Sequence, residues 1–151
     1  MADKKTIKFE IVTLDRVVLQ QDVLQITAPT KEGEITVLPD HIPLVSVLKP
    51  GVIEVKTATG EIEIMSISGG FIEVLKDKII ILADKAERAA ELDEARIITA
   101  RKKAEDAKEK ASHEDNYDLS AVAVKLETEL ARERALHRWR KLKNINSGKQ
   151  V

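Results

Sequence analysis

The 151-residue chain contains no cysteine, which excludes disulfide bridges and thiolate metal sites. Only 3% of its residues are aromatic, and no apolar run approaches the roughly 20 residues that a membrane-spanning helix needs. Because 25 basic and 26 acidic side chains leave a net charge of -1, the basic excess of a dedicated nucleic-acid-binding protein is missing. The first residues carry no apolar segment of a secretory signal. We therefore expect a soluble protein that binds no nucleic acid and meets a membrane only through partners.

Glycine and proline are nearly confined to the first half of the chain. All four prolines lie between Pro29 and Pro50, and residues 71–147 contain neither residue type. Turn residues that interrupt only the first half predict short strands followed by a helical part.

The first half alternates apolar and polar residues with the period of two that marks strands burying one face. Such runs occupy residues 7–11, 52–56 and 61–65, and further short candidate strands lie at residues 17–19, 23–28, 34–38 and 71–75. Residues 78–83 are almost continuously apolar, which predicts a strand buried on both faces. Many short strands with closely spaced turns predict a β-sandwich or a β-barrel, which we assign to residues 1–86.

The second half is rich in the strong helix formers Ala, Glu, Lys and Arg. A first helix is predicted to begin between Glu87 and Asp93 and to end near Ala111. After a short polar link, Asn116 or Asp118 is expected to cap a second helix.

A link this short favours an antiparallel two-helix hairpin, assigned to residues 87–144, with a polar tail at residues 145–151. The apolar stripes of both helices are thin, and that of the first helix is mostly alanine. At about 25 cal/mol per Å² their burial gives little beyond the entropy cost of ordering the hairpin. We therefore expect the hairpin to dock only marginally on the β domain.

Basic side chains outnumber acidic ones between Lys125 and Lys143. This pattern fits a surface for phosphate or for an acidic partner, and equally a solvated helix face. Trp139 lies off the apolar stripe of its helix, so it marks either a contact outside the hairpin or a partly exposed surface residue.

No catalytic or metal site can be assembled from these residues. His41, His113 and His137 fall in a loop, an interhelix turn and a helix, with no metal-ligand spacing among them. Neither Ser66 nor Ser68 has the glycines on both sides that a nucleophile elbow requires. The residues alone predict a non-catalytic interaction protein with two parts.

Three segments carry a resemblance to a known family. Residues 32–51, EGEITVLPDHIPLVSVLKPG, resemble the signature E-G-x-[LIF]-x-[IV]-[LY]-P-x-H-x-P, followed by L and K-P-G, of epsilon subunits of bacterial-type F-type ATP synthases. ISGGFIEV at 67–74 resembles a strand of that family, and LDEAR at 92–96 resembles the start of its first C-terminal helix. The resemblance extends to about Lys143. It implies a mainly β protein with added α structure, in which a ten-stranded β-sandwich precedes an antiparallel two-helix hairpin.

The function that the resemblance implies is that of a rotor subunit in the central stalk of a proton-translocating F-type ATP synthase. The β domain would join the gamma subunit to the c-ring at the cytoplasmic face of the cell membrane, with Glu34 and His41 in the contacting loop. Two neighbouring prolines also allow that loop to be simply a rigid turn. The hairpin would inhibit ATP hydrolysis by extending into the head of alpha and beta subunits. Its candidate contacts to an acidic segment of beta are Arg132, Arg134, Arg138 and Arg140.

Some bacterial members of the family bind ATP on the folded hairpin without hydrolysing it. ATP is therefore expected as a regulatory ligand, with no other cofactor and no metal. The residues that resemble the site are Glu87, Asp93, Arg96, Arg134 and Arg138. Ile97 and Lys103 depart from the alanine and arginine of those members, which would crowd the base and remove bidentate geometry. Asp93 also fits a simple helix cap. The alternative function is a stand-alone ATP sensor, or a scaffold with a basic helical tail.

Overall fold

The computed structural model describes residues 3–113 and 118–148, which form nine strands, a 3-10 turn and two helices. The strands are β1 Ile7–Val12, β2 Val17–Thr30, β3 Gly33–Val37, β4 Leu44–Leu48, β5 Gly51–Thr57, β6 Ile62–Ile67, β7 Gly70–Val74, β8 Lys78–Ala83 and β9 Ala86–Arg88. The 3-10 turn is Ala89–Glu91, and the helices are α1 Glu94–Ala111 and α2 Leu119–Gly148.

The strands form one sheet in the order β1-β8-β7-β4-β2-β5-β6-β9, with β3 beside β2. Because β1 pairs with β2 as well as with β8, the sheet folds back on itself. The inward side chains form one apolar core between the layers, in which Phe9, Ile26, Ile53, Ile72 and Ile81 are fully buried. The predicted fold class is thus confirmed, with nine strands among the described residues where the resemblance implied ten.

Two strand predictions need correction. Residues 17–19 and 23–28 are not separate strands, because β2 runs unbroken through both and pairs first with β1 and then with β3 and β5. The strand at residues 78–83 is not buried on both faces. Ile79 and Ile81 point into the core, whereas Leu82 is 56% exposed on the outer face of the sheet.

The helix starts follow from their caps. The Asp93 carboxylate accepts hydrogen bonds from the amides of Ala95 at 3.0 Å and Arg96 at 3.4 Å, so α1 begins directly after it. Asp118 accepts from the Ser120 amide at 3.1 Å and caps α2 in the same way. The hydrogen bond from the Ser120 hydroxyl is the main cause that lowers the pKa of Asp118. The other predicted cap, Asn116, lies outside the described residues.

The helices run antiparallel, since the early α1 residue Glu94 pairs with Arg140 while Arg101 pairs with the earlier α2 residue Glu133. The proposed domain limits fall within elements. Residues 87 and 88 belong to β9, which pairs with β6, and α2 continues past residue 144 to Gly148. The first four residues of the predicted polar tail are therefore helical.

The second helix packs on the sheet through a small second core. Ala135 is buried against Ile64 of β6 and Ala89 of the 3-10 turn. Trp139 adds its ring to the same cluster, and the Lys143 ammonium lies 4.4 Å from the centre of that ring. Trp139 therefore marks a contact outside the hairpin, which was one of the two expectations for it.

Candidate functional site

A cleft of about 870 Å³ lies between the hairpin and the edge of the β domain. One wall comes from α1 and α2, and the other comes from the end of β2, from β3 and from the β4–β5 turn. Its charged lining is mainly basic. The charged and histidine side chains that line it are Glu34, Lys49, Glu94, Glu133, Arg134, His137, Arg138, Arg140 and Lys141.

The α2 arginines differ in their partners, and Arg132 is the one held most firmly. Its Nε donates to Glu87 Oε2 at 2.5 Å, and its Nη1 donates to Glu129 Oε1 at 2.5 Å. Burial lowers the pKa of the Arg132 guanidinium, but hydrogen bonds and attraction from the two carboxylates outweigh it and raise the pKa overall. Glu129 is itself buried, and its Oε2 has no hydrogen-bond partner among the described residues. Arg132 therefore ties α2 to β9 and does not line the cleft.

Arg134 and Arg138 both line the cleft, because residues four apart share one face of a helix. Arg138 Nη2 forms an ion pair with Glu54 Oε2 of β5 at 2.6 Å, whereas the Arg134 side chain has no ion pair or hydrogen bond within the described part of the chain. Arg140 Nη1 lies 2.7 Å from Glu94 Oε2, so this pair joins α2 to the start of α1 at the rim.

The five residues that resemble the nucleotide site do not all lie in one place. Only Arg134 and Arg138 are in the cleft. Glu87 is engaged by Arg132, and Asp93 caps α1. The side chain of Arg96 is 90% exposed and borders a separate shallow depression on α1.

The two residues predicted to contact the rotor are also separated. Glu34 is exposed on β3, in register with Pro29 of β2, and it lines the cleft. His41 lies in the loop between β3 and β4, where its Nδ1 is 2.7 Å from the Ile42 carbonyl oxygen, and it is not part of the cleft. The Ile42 side chain beside it is 75% exposed. The loop therefore presents an apolar tip next to His41.

An apolar row on the outer face of the sheet was not singled out from the sequence. Val47 of β4, Phe71 of β7 and Leu82 of β8 lie opposite one another in the strand register, and the row continues to Val12 of β1. Phe71 and Leu82 are more than half exposed, and Val45 on the next row is 68% exposed. The sequence contained one indication of this face. Phe71 alternates in step with the polar residue Glu73, which predicts that both side chains point outward.

Within residues 3–113 and 118–148, no helix combines the length and apolarity needed to cross a bilayer. The same residues contain no group of three or more His, Asp or Glu side chains arranged as metal ligands.

The chain consists of a β domain and a helical hairpin that is held against it by ion pairs, which is the architecture of a two-part interaction protein. Comparison with known proteins identifies its family. Residues 6–89 match the sequence model of the ATP synthase delta/epsilon chain, beta-sandwich domain. The chain is 44% identical over 120 residues to an ATP synthase epsilon chain of Dichelobacter nodosus, covering 80% of this chain and 84% of that one. A second relative, an ATP synthase epsilon chain of Dehalococcoides mccartyi, is 42% identical and covers 83% and 86% of the two chains.

Solved structures agree. A chain in the OSCP/F1/c-ring part of the Euglena gracilis mitochondrial ATP synthase superposes with a TM-score of 0.74 at 29% identity, covering 87% of this chain and 82% of that one. A central stalk/c-ring chain of the Tetrahymena thermophila enzyme shares the fold, with a TM-score of 0.58 at 16% identity and coverages of 89% and 99%. The chain belongs to the ATP synthase epsilon-chain family, as its sequence motifs predicted.

Proposed function

We propose that this chain is a non-catalytic rotor subunit of an F-type ATP synthase, peripheral at the cytoplasmic face of the cell membrane. In this proposal the β domain docks on the gamma subunit and the c-ring. The hairpin regulates ATP hydrolysis by moving between the β domain and the alpha and beta subunits. Family membership carries the proposal, and the geometry of the two parts supports it.

The outer apolar row supports a permanent partner for the β domain. Val47, Phe71 and Leu82 place large apolar side chains side by side on three adjacent strands, and exposed patches of this kind mark protein interfaces. We assign this row to the gamma subunit. The loop that carries His41 and the exposed Ile42 is assigned to the c-ring, with Glu34 on the neighbouring strand β3.

The contacts between hairpin and β domain support a movable arm. The apolar contact is small, because two of its three buried residues, Ala89 and Ala135, contribute single methyl groups. The other residues packed around it are only partly buried: Val52, Leu92, Trp139 and Leu142. Two ion pairs add to it, Arg132 with Glu87 and Arg138 with Glu54. Partly exposed pairs are worth about 1 kcal/mol or less, so a partner with an acidic surface can compete for the same arginines.

The cleft supports ATP as the regulatory ligand. Among the described residues Arg134 has no ion pair or hydrogen bond, and Arg138 is one turn away, so their guanidinium groups can bind phosphate oxygens from the same side. A ligand that contacts both the hairpin and the β4–β5 turn stabilises the docked state by RT ln(1 + [L]/Kd), about 2.7 kcal/mol at a hundredfold excess over Kd.

The test uses the assembled membrane ATPase, purified through another subunit. Full-length chain is expected to copurify with it, and Phe71→Glu is expected to reduce its recovery, because an unpaired carboxylate in a desolvated interface is costly. Ile62→Glu is the matched control, since Ile62 is 38% exposed on β6 outside the row. Equal recovery of both variants would argue against the docking face.

In the same complex, deletion of residues 92–151 is expected to raise ATP hydrolysis. The cut follows the 3-10 turn so that β9 and Ala89 remain on the sheet. Hydrolysis at the full-length rate, with the truncated chain present in the complex, would contradict an inhibitory hairpin.

A further inference from the structure

We infer that Glu54 of β5 weakens the binding of a polyphosphate in the cleft, because its carboxylate competes with phosphate for the guanidinium of Arg138. The inference rests on the proposed nucleotide site and adds a residue that sets its affinity. Glu54 belongs to neither the motif in residues 32–51 nor the helical pattern, and its role comes from the ion pair alone.

Arg134 and Arg138 are unequal in the docked state. Both line the cleft, but Arg134 is without an ion pair or hydrogen bond in the described chain, while Arg138 Nη2 forms an ion pair with Glu54 Oε2 at 2.6 Å. The Glu54 side chain is 21% exposed and that of Arg138 is 48% exposed. Of these two guanidinium groups, that of Arg134 has no ion-pair or hydrogen-bond partner in the described chain, and that of Arg138 is engaged by a largely buried carboxylate.

A carboxylate and a phosphate compete for the same guanidinium N–H donors, since both bind them by charge-assisted hydrogen bonds. Phosphate recruits Arg138 fully only by displacing Glu54 from it. Replacing the carboxylate by an amide weakens this competition while keeping the size of the side chain.

Glu54 is the informative position because it contacts Arg138 without lining the cleft. Glu94 also pairs with an arginine, Arg140, but it forms part of the cleft wall, so its replacement would change the site itself. A change at Glu54 leaves the lining of the cleft intact and frees Arg138, and it also removes one of the two ion pairs that hold the hairpin on the β domain.

The experiment is isothermal titration of the full chain with ATP and, separately, with inorganic tripolyphosphate. Glu54→Gln is expected to bind both ligands about three- to fivefold more tightly, the equivalent of one partly exposed ion pair. The matched control is Glu61→Gln, which removes one charge from an exposed residue between β5 and β6 that has no ion pair in the described chain. In an Arg138→Ala background, Glu54→Gln is expected to give no gain.

The outcomes test the competition by Glu54 separately from the nucleotide site. If the wild type binds and Glu54→Gln binds equally or more weakly, the competition is refuted but the nucleotide site is not. The competition is supported if only Glu54→Gln binds, or if its gain in affinity disappears in the Arg138→Ala background. If neither the wild type nor Glu54→Gln binds, both the competition and the nucleotide site are refuted. An equal gain in affinity in Glu61→Gln refutes the competition, because the gain then follows from net charge.

Discussion

Ala135→Leu tests whether the hairpin docks as a separate unit on a finished β domain. Ala135 is fully buried in α2, against Ile64 and Ala89. Leucine adds three carbon atoms at a contact where the helix meets the sheet through a methyl group. The main core contains only residues of the β domain, so the substitution should weaken docking and leave that core intact.

Overfilling a packed contact typically costs 1–3 kcal/mol, and we take about 2 kcal/mol for this site. That value lowers the ratio of docked to undocked hairpin about 30-fold. Because the docked contact has only three buried apolar residues, four partly buried ones around them and two ion pairs, a loss of this size is a large part of its stability.

Hydrogen exchange measures the effect directly. Amides of β9 and α2 should exchange faster in Ala135→Leu, amides of β1 and β8 should not, and Trp139 fluorescence should shift to the red. Ala121→Leu is the matched control, since Ala121 is exposed on the same helix. Unchanged exchange in α2, or equal acceleration throughout the sheet, would refute separate docking.

Two further predictions concern the scaffold. Gly70→Ala should destabilise the β domain by more than about 2 kcal/mol in urea unfolding, because φ is +133° and an added Cβ would lie 2.0 Å from the Leu82 carbonyl oxygen. Gly33→Ala is the control for backbone strain alone, because φ is +130° there and no atom lies within 4 Å of an added Cβ. Equal losses of stability in the two variants would exclude the contact with Leu82 as a cause. The hydrogen bond from Ser120 lowers the pKa of Asp118, so its cap stabilises α2 above the unfolded-state value near 3.9 and is lost as the pH falls through the lower folded value. NMR shifts of the Ser120 amide should follow that titration and become pH-independent in Asp118→Asn, and a wild-type shift that stays constant would contradict the cap.

Local patterns predicted the parts of the fold that depend on near neighbours in sequence. Alternation located the strands, and the switch to Ala, Glu, Lys and Arg located the helices. Asp93 was assigned to the nucleotide site with a helix cap as the alternative, and the cap could be proposed from sequence because capping involves only the next three residues. The outer face of β8 was misread, since apolar Leu82 sits where the pattern alone cannot distinguish core from interface.

The candidate site was less predictable because its partners are distant in sequence. Arg132 is 45 residues from Glu87, and no local period connects them. The basic stretch of α2 was recognised as a whole, but which arginine is buried, which is paired and which is available depends on where β5 and β9 lie beside the helix. Trp139 was correctly suspected of an outside contact because it broke the stripe of its own helix.

The parallel pairing of β1 with β8 has a consequence for synthesis of the protein. Lys8 lies opposite Lys78, about 70 residues later, so the first strand keeps one edge open while most of the domain is still being translated. Closure waits until β8 has left the ribosome, whereas every residue of the hairpin emerges after it. A nascent arm thus meets a sheet whose strands have already been made, and termination of translation soon after residue 91 would release a domain able to close without its arm.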